Sequence, residues 1–500
     1  MNFNLYYISP ELILAVGGIL ALALGLSTGR FARKGEPARI GILSPEVVSV
    51  AVLLAALVPS IMLLADKGVA RGVSQFGGVM AVDGLALFFK IIAIVSTVIV
   101  ALLSMDFFRG VQSAVADRGE YYALLVFAAL AISSLAASTD LIMIYLSLEF
   151  LSITSYILAG YLKEEPKSNE AAVKYFLYGS VAAAAMIYGM SMLYGITGTT
   201  NILAIADALW ANPAPYSLLF LSTVLVLVGF GFKIAMAPFH QWAPDTYEGA
   251  PTPITAFLSV GSKAAGIAVL VRVLATGITF GAFDWTPLII LLSGATMTVG
   301  NLVAIPQLNI KRMLAYSSIA QVGYLLLGVA AMAYSPLALP AILLYVFIYL
   351  FMNLGAFAVV TMLSARLGSD EIRDYAGLIR RAPVAAVAMV FFMLSLVGVP
   401  PTAGFLGKFY LFSAAIQSGR PAIFWLTVLA IANTVVSAYY YLNVVRQMFF
   451  AQAKRPTAIT SSRPLSFVIG LTLAMTLLVL LYAQPFIRMA HRSAAMLMGI

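Results

Sequence analysis

The sequence predicts an all-α polytopic membrane protein with about fourteen transmembrane helices. Three observations support this fold class. The 500 residues are 62% hydrophobic and only 10% charged, whereas soluble globular chains are about 25% charged. Their mean hydropathy is +0.99. Apolar stretches of roughly 20 residues, the length that crosses a bilayer, follow one another along most of the chain.

Hydropathy windows of about 19 residues place the spans along the chain. They begin near Leu12, Val47, Gly84, Tyr121, Leu141, Ala171, Ser217, Ile254, Pro287, Met313, Leu337, Val384, Ile423 and Leu465. The first ten residues carry no Lys or Arg, so they lack the basic segment of a cleaved signal peptide, and we expect the first span to be retained.

The distribution of basic residues predicts the orientation. Of the 29 Lys and Arg residues, 18 fall in odd-numbered loops. Six fall in even-numbered loops or tails: Lys67, Arg71, Arg272, Arg420, Arg488 and Arg492. Because cytoplasmic loops are enriched in positive charge, we expect the odd loops in the cytoplasm and both termini on the periplasmic side of a bacterial inner membrane. The net charge of +9 therefore reports topology and attraction to anionic lipid, and it does not indicate nucleic-acid binding.

Several kinds of site are excluded by composition. The chain has no cysteine, which excludes disulfides, thiolate-bound iron-sulfur clusters and covalently attached haem. Its two histidines are His240 and His491, and the latter lies in a polar tail. The single Gly-Lys pair, Gly407-Lys408, is not part of a phosphate-binding loop. We therefore expect no cofactor and no metal in this chain.

Five lysines and one acid remain inside predicted spans, where a charge costs at least about 2.5 kcal/mol and therefore suggests function. The lysines are Lys90, Lys174, Lys233, Lys263 and Lys408, and the acid is Glu149. Glu149 lies near the middle of the fifth span, too deep to reach water by extending its side chain.

Two of these lysines stand beside predicted helix breaks. Pro238 follows Lys233 in the seventh span, and Pro400 and Pro401 precede Lys408 in the twelfth. Irregular backbone at membrane depth occurs where it is buried in protein or lines a wet cavity, so broken helices with a cation are typical of ion pathways. A kink that serves packing alone is the alternative.

The two breaks lie five spans apart and therefore cross the membrane in opposite senses, which predicts an inverted repeat. We expect an N-terminal three-helix segment at 1–119, a first five-helix repeat at 120–280, a second at 281–450, and a C-terminal loop and fourteenth helix at 451–500.

The remaining titratable groups leave alternatives open. Lys263 lies among small residues about three turns into the eighth span, which favours function. Lys174 is four residues past Glu170, where it is either functional or extends its amine to the surface. Lys90 is more typical of a structural role. His240 either belongs to a point of proton uptake or caps a tight turn.

Four segments of the sequence resemble a known family. They are GFGFKIAMAPFHQWAPDTYEGAPTP, SVGSKAAGIAVL, LNIKRMLAYSSIAQVGY and SLVGVPPTAGFLGKFYLF. They are similar to the antiporter-like membrane subunits of proton-pumping NADH:quinone oxidoreductase, respiratory complex I. The closest branch is subunit N, because Lys263 stands where related subunits have histidine and Tyr247 replaces methionine in their Met-Glu-Gly pattern.

The resemblance implies a proton path through Glu149, Lys233, Lys263 and Lys408, with Lys174 and His240 as accessory residues. It also implies that the chain is a non-redox subunit of a translocase that couples quinone reduction elsewhere to proton transfer. The implied partners are other antiporter-like and small membrane subunits and the lipid bilayer. FMN, iron-sulfur clusters and quinone are expected in partner subunits.

Three other functions remain open from the residues alone. A subunit of a multisubunit cation/proton antiporter or of a membrane hydrogenase would use the same motifs. A stand-alone proton-coupled solute carrier would use similar broken helices. A structural scaffold of the membrane would need none of the lysines for transport.

Overall fold

A computed structural model describes residues 4–31, 44–66, 69, 72–110, 118–278, 283–453 and 458–498. The basic residues Arg33, Lys34, Arg39, Lys67, Arg71, Lys454 and Arg455, which contribute to the predicted orientation, lie outside these ranges.

Helices make up almost all of the described chain. The first eleven are α1 (Ser9–Phe31), α2 (Pro45–Ala65), α3 (Gly84–Gly110), α4 (Arg118–Ala137), α5 (Leu141–Ala159), α6 (Pro166–Thr197), α7 (Ile202–Ala211), α8 (Tyr216–Ile234), α9 (Trp242–Gly249), α10 (Thr252–Phe257) and α11 (Lys263–Arg272). The others are α12 (Thr286–Ala304), α13 (Ile310–Ala331), α14 (Ala338–Leu367), α15 (Leu378–Arg381), α16 (Pro383–Val397), α17 (Ala403–Gln417), α18 (Pro421–Phe450), α19 (Arg463–Leu481) and α20 (Gln484–Met498). Two short strands, β1 (Val73–Gln75) and β2 (Met80–Val82), form an antiparallel hairpin.

Thirteen segments within the described ranges are long and apolar enough to cross a membrane. The predicted twelfth span is two half-length helices, α16 and α17, separated by residues 398–402. The eighth span, Thr252–Gly277, joins α10 and α11 through one π-helical turn, Leu258–Ser262, and ends in another, Val273–Gly277. The prediction of an all-α polytopic membrane protein is confirmed. The inverted repeat and its boundaries stay predictions.

Three spans form the centre of the bundle. The most apolar 18-residue window of the eighth span is completely buried, and the corresponding windows of α13 and α14 are each 94% buried within the chain. Peripheral spans such as α2 and α19 are only 28% and 33% buried, which leaves apolar faces for lipid or neighbouring protein. A lysine on the eighth span is therefore enclosed by protein on every side.

The first break follows α8. Ala235 adopts a left-handed conformation at φ 56°, which ends the helix three residues before Pro238. The backbone groups released there find partners, as membrane depth requires. The Trp242 indole donates to the Phe232 carbonyl at 2.9 Å, and the Ala237 N–H donates to Thr296 at 3.1 Å.

The second break separates α16 from α17. Gly398, at φ 85°, ends α16, and Thr402 caps α17 by accepting from the Phe405 N–H at 3.3 Å. Pro400 and Pro401 occupy the stretch between the two half-helices. Both predicted breaks are therefore present, at the seventh and twelfth spans.

The structure also differs from the sequence-based expectations. Arg272, which we assigned to an even-numbered loop, lies inside the eighth span and is only 2% exposed. A hydropathy window ends a predicted span at a charged residue, so the prediction placed Arg272 outside the span. In the structure Asp83, which is distant in sequence, neutralises this charge inside the bundle. The hairpin, α7 and the C-terminal helix α20 were not predicted.

Candidate functional site

Lys233 lies in the last turn of α8 and is completely buried. Its Nζ donates to the Ser152 hydroxyl of α5 at 3.1 Å and lies 5.9 Å from the centre of the Tyr175 ring. The Ser152 hydroxyl in turn donates to the Leu148 carbonyl at 2.8 Å, so the Ser152 oxygen accepts the hydrogen bond from the lysine through a lone pair. The ammonium therefore rests on neutral groups.

Glu149 lies midway along α5, one turn before Ser152 and on the same face. Its side chain is half-buried. In the described part of the chain the Lys233 ammonium bonds Ser152 and makes no ion pair with Glu149. The apolar residues around Glu149, including Leu146, Phe150 and Ile153, are exposed. The carboxylate is thus close to Lys233 without contacting it.

Lys263 begins α11, directly after the π-helical turn Leu258–Ser262, and is 3% exposed. Its Nζ donates to the Ser318 hydroxyl of α13 at 2.6 Å and lies 5.7 Å from the Tyr247 ring centre. Single π-helical turns inside α-helices are frequent at functional sites. As at Lys233, the ammonium rests on a hydroxyl.

Lys408 lies in α17, just beyond the second break, and is 2% exposed. Its Nζ donates to the carbonyls of Val397 at 2.8 Å and Leu396 at 3.2 Å. These carbonyls end α16, where the helix dipole is negative and favours a cation. The Tyr324 ring lies 4.4 Å from the same ammonium.

Buried polar atoms without a well-aligned protein partner are found beside Lys233 and Lys263. Among the described residues, the hydroxyls of Tyr175, Ser262, Tyr247 and Tyr349 make no well-aligned hydrogen bond, although Ser262 lies beside the Tyr175 hydroxyl and Ser318 beside those of Tyr247 and Tyr349. Tyr175 faces Lys233, Tyr247 faces Lys263, and Ser262 immediately precedes Lys263. Because buried polar groups are nearly always hydrogen-bonded, these hydroxyls are positions that suit ordered water.

A side-chain network that sequence reasoning missed lies between Lys263 and Lys408. Ser317 of α13 is hydrogen-bonded to Tyr441 of α18. The Gln321 amide donates to the Tyr441 hydroxyl at 3.3 Å and to the Leu396 carbonyl at 3.0 Å. The available signal was the polar run Ser317, Ser318 and Gln321 within an otherwise apolar span.

The two accessory residues are placed differently from each other. Lys174 bonds Glu170 and Asp245, each at 2.7 Å, in a cluster of ion pairs that also contains Arg312 and Glu248. Burial raises the pKa of the Asp245 carboxyl, but hydrogen bonds from Lys174 and Arg312 outweigh it and leave that pKa below its ordinary value. The cluster lies on the predicted cytoplasmic side.

His240 follows Pro238 in the first break and is partly buried. Its Nδ1 is buried without a hydrogen-bond partner in the described part of the chain. It does not join the ion pairs around Asp245, so it has no part in the cluster that holds Lys174.

Two other buried cations are paired with acids. Lys90 contacts Glu11 at 2.6 Å, with both side chains largely buried. Arg272 makes a bidentate ion pair with Asp83 at 2.8 Å per contact and also donates to the Ala136 carbonyl. Lys90 and Asp83, seven residues apart, therefore have different partners.

The described residues contain no group of three or more His, Asp or Glu side chains that could hold a metal ion.

Comparison with known proteins gives the family. A family model described as NADH:quinone oxidoreductase/Mrp antiporter, TM, matches residues 138–435. NADH-quinone oxidoreductase subunit N of Heliobacterium modesticaldum is 41% identical over 495 residues, 99% of each chain.

Solved structures agree with this match. A chain of respiratory complex I from Thermus thermophilus with bound aureothin is 30% identical, with a TM-score of 0.78 over 96% of this chain and 98% of that one. A chain of the Mrp complex from Dietzia sp. is 21% identical, with a TM-score of 0.83 over 99% of this chain and 97% of that one, and it shares the fold. The chain therefore belongs to the NADH:quinone oxidoreductase/Mrp antiporter family, within the group of NADH-quinone oxidoreductase subunit N proteins.

Proposed function

We propose that this chain is a proton-translocating membrane subunit of an NADH:quinone oxidoreductase, and that quinone reduction in other subunits drives protons through it. One observation carries the proposal. Lys233, Lys263 and Lys408 are buried in the bundle, two of them at helix breaks, and their ammonium groups meet only hydroxyls, carbonyls and aromatic rings. Burial without a carboxylate partner weakens the hold of an amine on its proton.

Each lysine can therefore load and release a proton in response to a modest change nearby. At Lys233 the group that can change is Glu149. When the carboxylate approaches, it favours the protonated lysine; when it withdraws, the proton leaves for Lys263 and then Lys408. The return of the carboxylate lets Lys233 reload from the cytoplasmic side.

The magnitudes permit this cycle. An opposite charge within about 4 to 6 Å changes protonation free energies by about 1.4 to 4 kcal/mol. Moving one proton against about 100 to 200 mV costs about 2.3 to 4.6 kcal/mol. One electrostatic contact made and broken is thus comparable with the work done on one proton.

We propose that water completes this path. The poorly aligned hydroxyls of Tyr175, Ser262 and Tyr247, on α6, the eighth span and α9, are where water molecules would link Lys233 to Lys263. Protons move readily along such chains because each water both donates and accepts.

The rest of the enzyme complex supplies the redox chemistry. We propose that this chain is not redox-active, that FMN, iron-sulfur clusters and quinone belong to partner subunits, and that it lies in a bacterial inner membrane with both termini in the periplasm. The exposed apolar faces of the outer helices fit lipid and other membrane subunits.

A subunit of a cation/proton antiporter is the closest alternative, since the Mrp chain has the same fold. The identity of 41% to a subunit N over the whole chain favours the oxidoreductase. Sodium-dependent proton movement without any requirement for NADH or quinone would support the antiporter.

The test uses the assembled complex carrying Lys233→Met in proteoliposomes, with quinone reduction and proton translocation measured separately. We expect the number of protons translocated per quinone reduced to fall, because the first lysine of the path can no longer carry a proton. An unchanged ratio would contradict the proposal.

The matched control is the double variant Lys90→Met, Glu11→Leu, which removes another buried lysine together with its acid. Replacing both members of a buried pair by apolar residues is often neutral. We expect this control to pump normally.

A further inference from the structure

Hydrogen-bonding side chains extend from Lys263 towards Lys408 along one face of α13. Lys263 is held by Ser318, and the adjacent Ser317 bonds the Tyr441 hydroxyl. Gln321, one turn further, donates both to Tyr441 and to the Leu396 carbonyl that Lys408 also uses. The second half of the proposed path thus contains hydrogen-bonded protein groups.

The members of this chain differ in what they can do with a proton. Both hydroxyls of the Ser317 and Tyr441 pair can donate and accept, so their hydrogen bond can be made in either direction. A proton can therefore arrive on one oxygen as another leaves the next. Ser318 is different, because its hydrogen is already donated to the Ala315 carbonyl at 2.7 Å.

The Gln321 amide has fixed donor and acceptor groups, unlike the two hydroxyls. Its amide nitrogen donates to Tyr441 and Leu396, and its oxygen accepts from the Tyr345 hydroxyl. An amide relays a proton only by losing its stable form, so this side chain orients its neighbours instead. All three bonds are buried, which holds the Tyr441 oxygen beside the break in the twelfth span.

We propose that Tyr441, with Ser317, relays protons between Lys263 and Lys408, and that Gln321 is a positioning residue that holds Tyr441 against the α16 terminus. Water completes the contacts at each end, between Lys263 and Ser317 and between Tyr441 and Lys408. This inference rests on the proposed function and names the groups that carry the proton in its second half.

The experiment compares two tyrosines that make the same kind of bond. Tyr441→Phe removes only the relay hydroxyl. Tyr121→Phe removes a hydroxyl that bonds Ser104 at 2.8 Å, also completely buried, between α3 and α4 and away from the lysines. Both are measured in the assembled complex in proteoliposomes, in H2O and in D2O.

We expect Tyr441→Phe to lower the number of protons translocated per quinone reduced by about 10-fold. This loss is smaller than the roughly 100-fold or more that a positioned proton donor contributes, because water can partly replace the hydroxyl. We also expect the ratio of the proton translocation rates in H2O and D2O to rise in Tyr441→Phe. A purely structural defect would not raise this ratio. Tyr121→Phe should leave both values unchanged.

Two further variants keep the inference open to refutation if Tyr441→Phe fails to assemble. Ser317→Ala removes the other half of the same bond and should reproduce the pumping defect. Gln321→Leu should reproduce it with quinone reduction retained. Normal pumping in Ser317→Ala and Tyr441→Phe, with Lys233→Met defective, would overturn the relay and leave the proposed function intact. Normal pumping in all three would overturn both.

Discussion

Two regions of the molecule bury cations in opposite ways. Where the N-terminal helices meet the bundle, Lys90 is paired with Glu11 and Arg272 with Asp83, at 2.6 and 2.8 Å. Along the centre, Lys233 and Lys263 are equally buried, yet their nitrogens bond only serine hydroxyls. A carboxylate partner balances the charge of a buried cation, whereas a serine hydroxyl leaves that charge unbalanced. The first region suits fixed structure, and under the proposed function the second serves proton exchange.

The second region contains a further distinction between its two helix breaks. At the first break, the freed Phe232 carbonyl is taken by the Trp242 indole, which leaves Lys233 to Ser152 and within reach of Glu149. At the second, the freed carbonyls hold Lys408 directly. A change from outside can therefore act at Lys233, while Lys408 has only fixed dipoles.

Removing one buried cation from each region should have opposite effects on the stability of the folded chain. Arg272→Met leaves the Asp83 carboxylate buried and unpaired, so we expect a loss of about 3 to 5 kcal/mol, seen as a lower melting temperature or lower content of the assembled complex. Lys263→Met removes a buried charge that has no acid, so we expect unchanged or greater stability together with a pumping defect. Adding Asp83→Asn to Arg272→Met should recover much of the loss. Equal destabilisation by both single variants would refute the distinction.

Removing the charge that can act on Lys233 tests the role of the first break. Glu149→Gln keeps the size of the side chain but removes about 1.4 to 4 kcal/mol of stabilisation of the nearby ammonium, so proton loading at Lys233 should fall about 10-fold or more. The measurement is proton translocation per quinone reduced. Glu120→Gln, at an exposed acid in the first turn of α4, is the control. A pumping ratio equal to that of the control would remove Glu149 from the mechanism.

The aromatic contact at Lys408 should have a smaller effect. Tyr324→Phe keeps the ring over the ammonium, whereas Tyr324→Leu removes a cation–π contact worth about 1 to 2 kcal/mol at a buried site. We expect Leu to slow pumping by about 5- to 30-fold and Phe to have little effect, measured across pH 6 to 9. Equal defects in the two variants would instead assign the role to the Tyr324 hydroxyl, which bonds Asn301.

The smallest effect is expected at the ion-pair cluster on the predicted cytoplasmic side. The cations of this cluster lower the pKa of the Asp245 and Glu248 carboxyls in the folded protein. The contribution of these carboxylates to the free energy of unfolding is therefore present above their ordinary pKa of about 4 and is lost as pH falls through the lowered values. Asp245→Asn should cost at most about 1 kcal/mol, since these partly exposed pairs are screened by solvent. Hydrogen exchange of α9 should show this difference at pH 7, show less of it in high salt, and show progressively less as pH falls through the lowered carboxylate pKa values.

The sequence was sufficient to predict the spans and the lysines beside the helix breaks. Fourteen predicted spans correspond to thirteen observed helical spans and the pair α16 and α17, because apolar length is a local property. Lys233 and Lys408 were located because each lies within eight residues of a proline that interrupts its span.

The partners of these lysines could not be predicted in the same way. Ser152 is 81 residues from Lys233, and Ser318 is 55 residues from Lys263, so each contact depends on how helices pack. Arg272 was misplaced for the same reason, since the acid that neutralises it is 189 residues away. A hydroxyl that accepts from a buried lysine looks like any other serine in a membrane span.

A water-filled path between the lysines can be seen in a map of the assembled complex at a resolution that shows individual water molecules. We predict ordered water bonded to the hydroxyls of Tyr175, Ser262 and Tyr247, continuous from Lys233 to Lys263, and reaching Tyr441 beyond it. Side chains packed tightly against those hydroxyls, with no water between the three lysines, would contradict it.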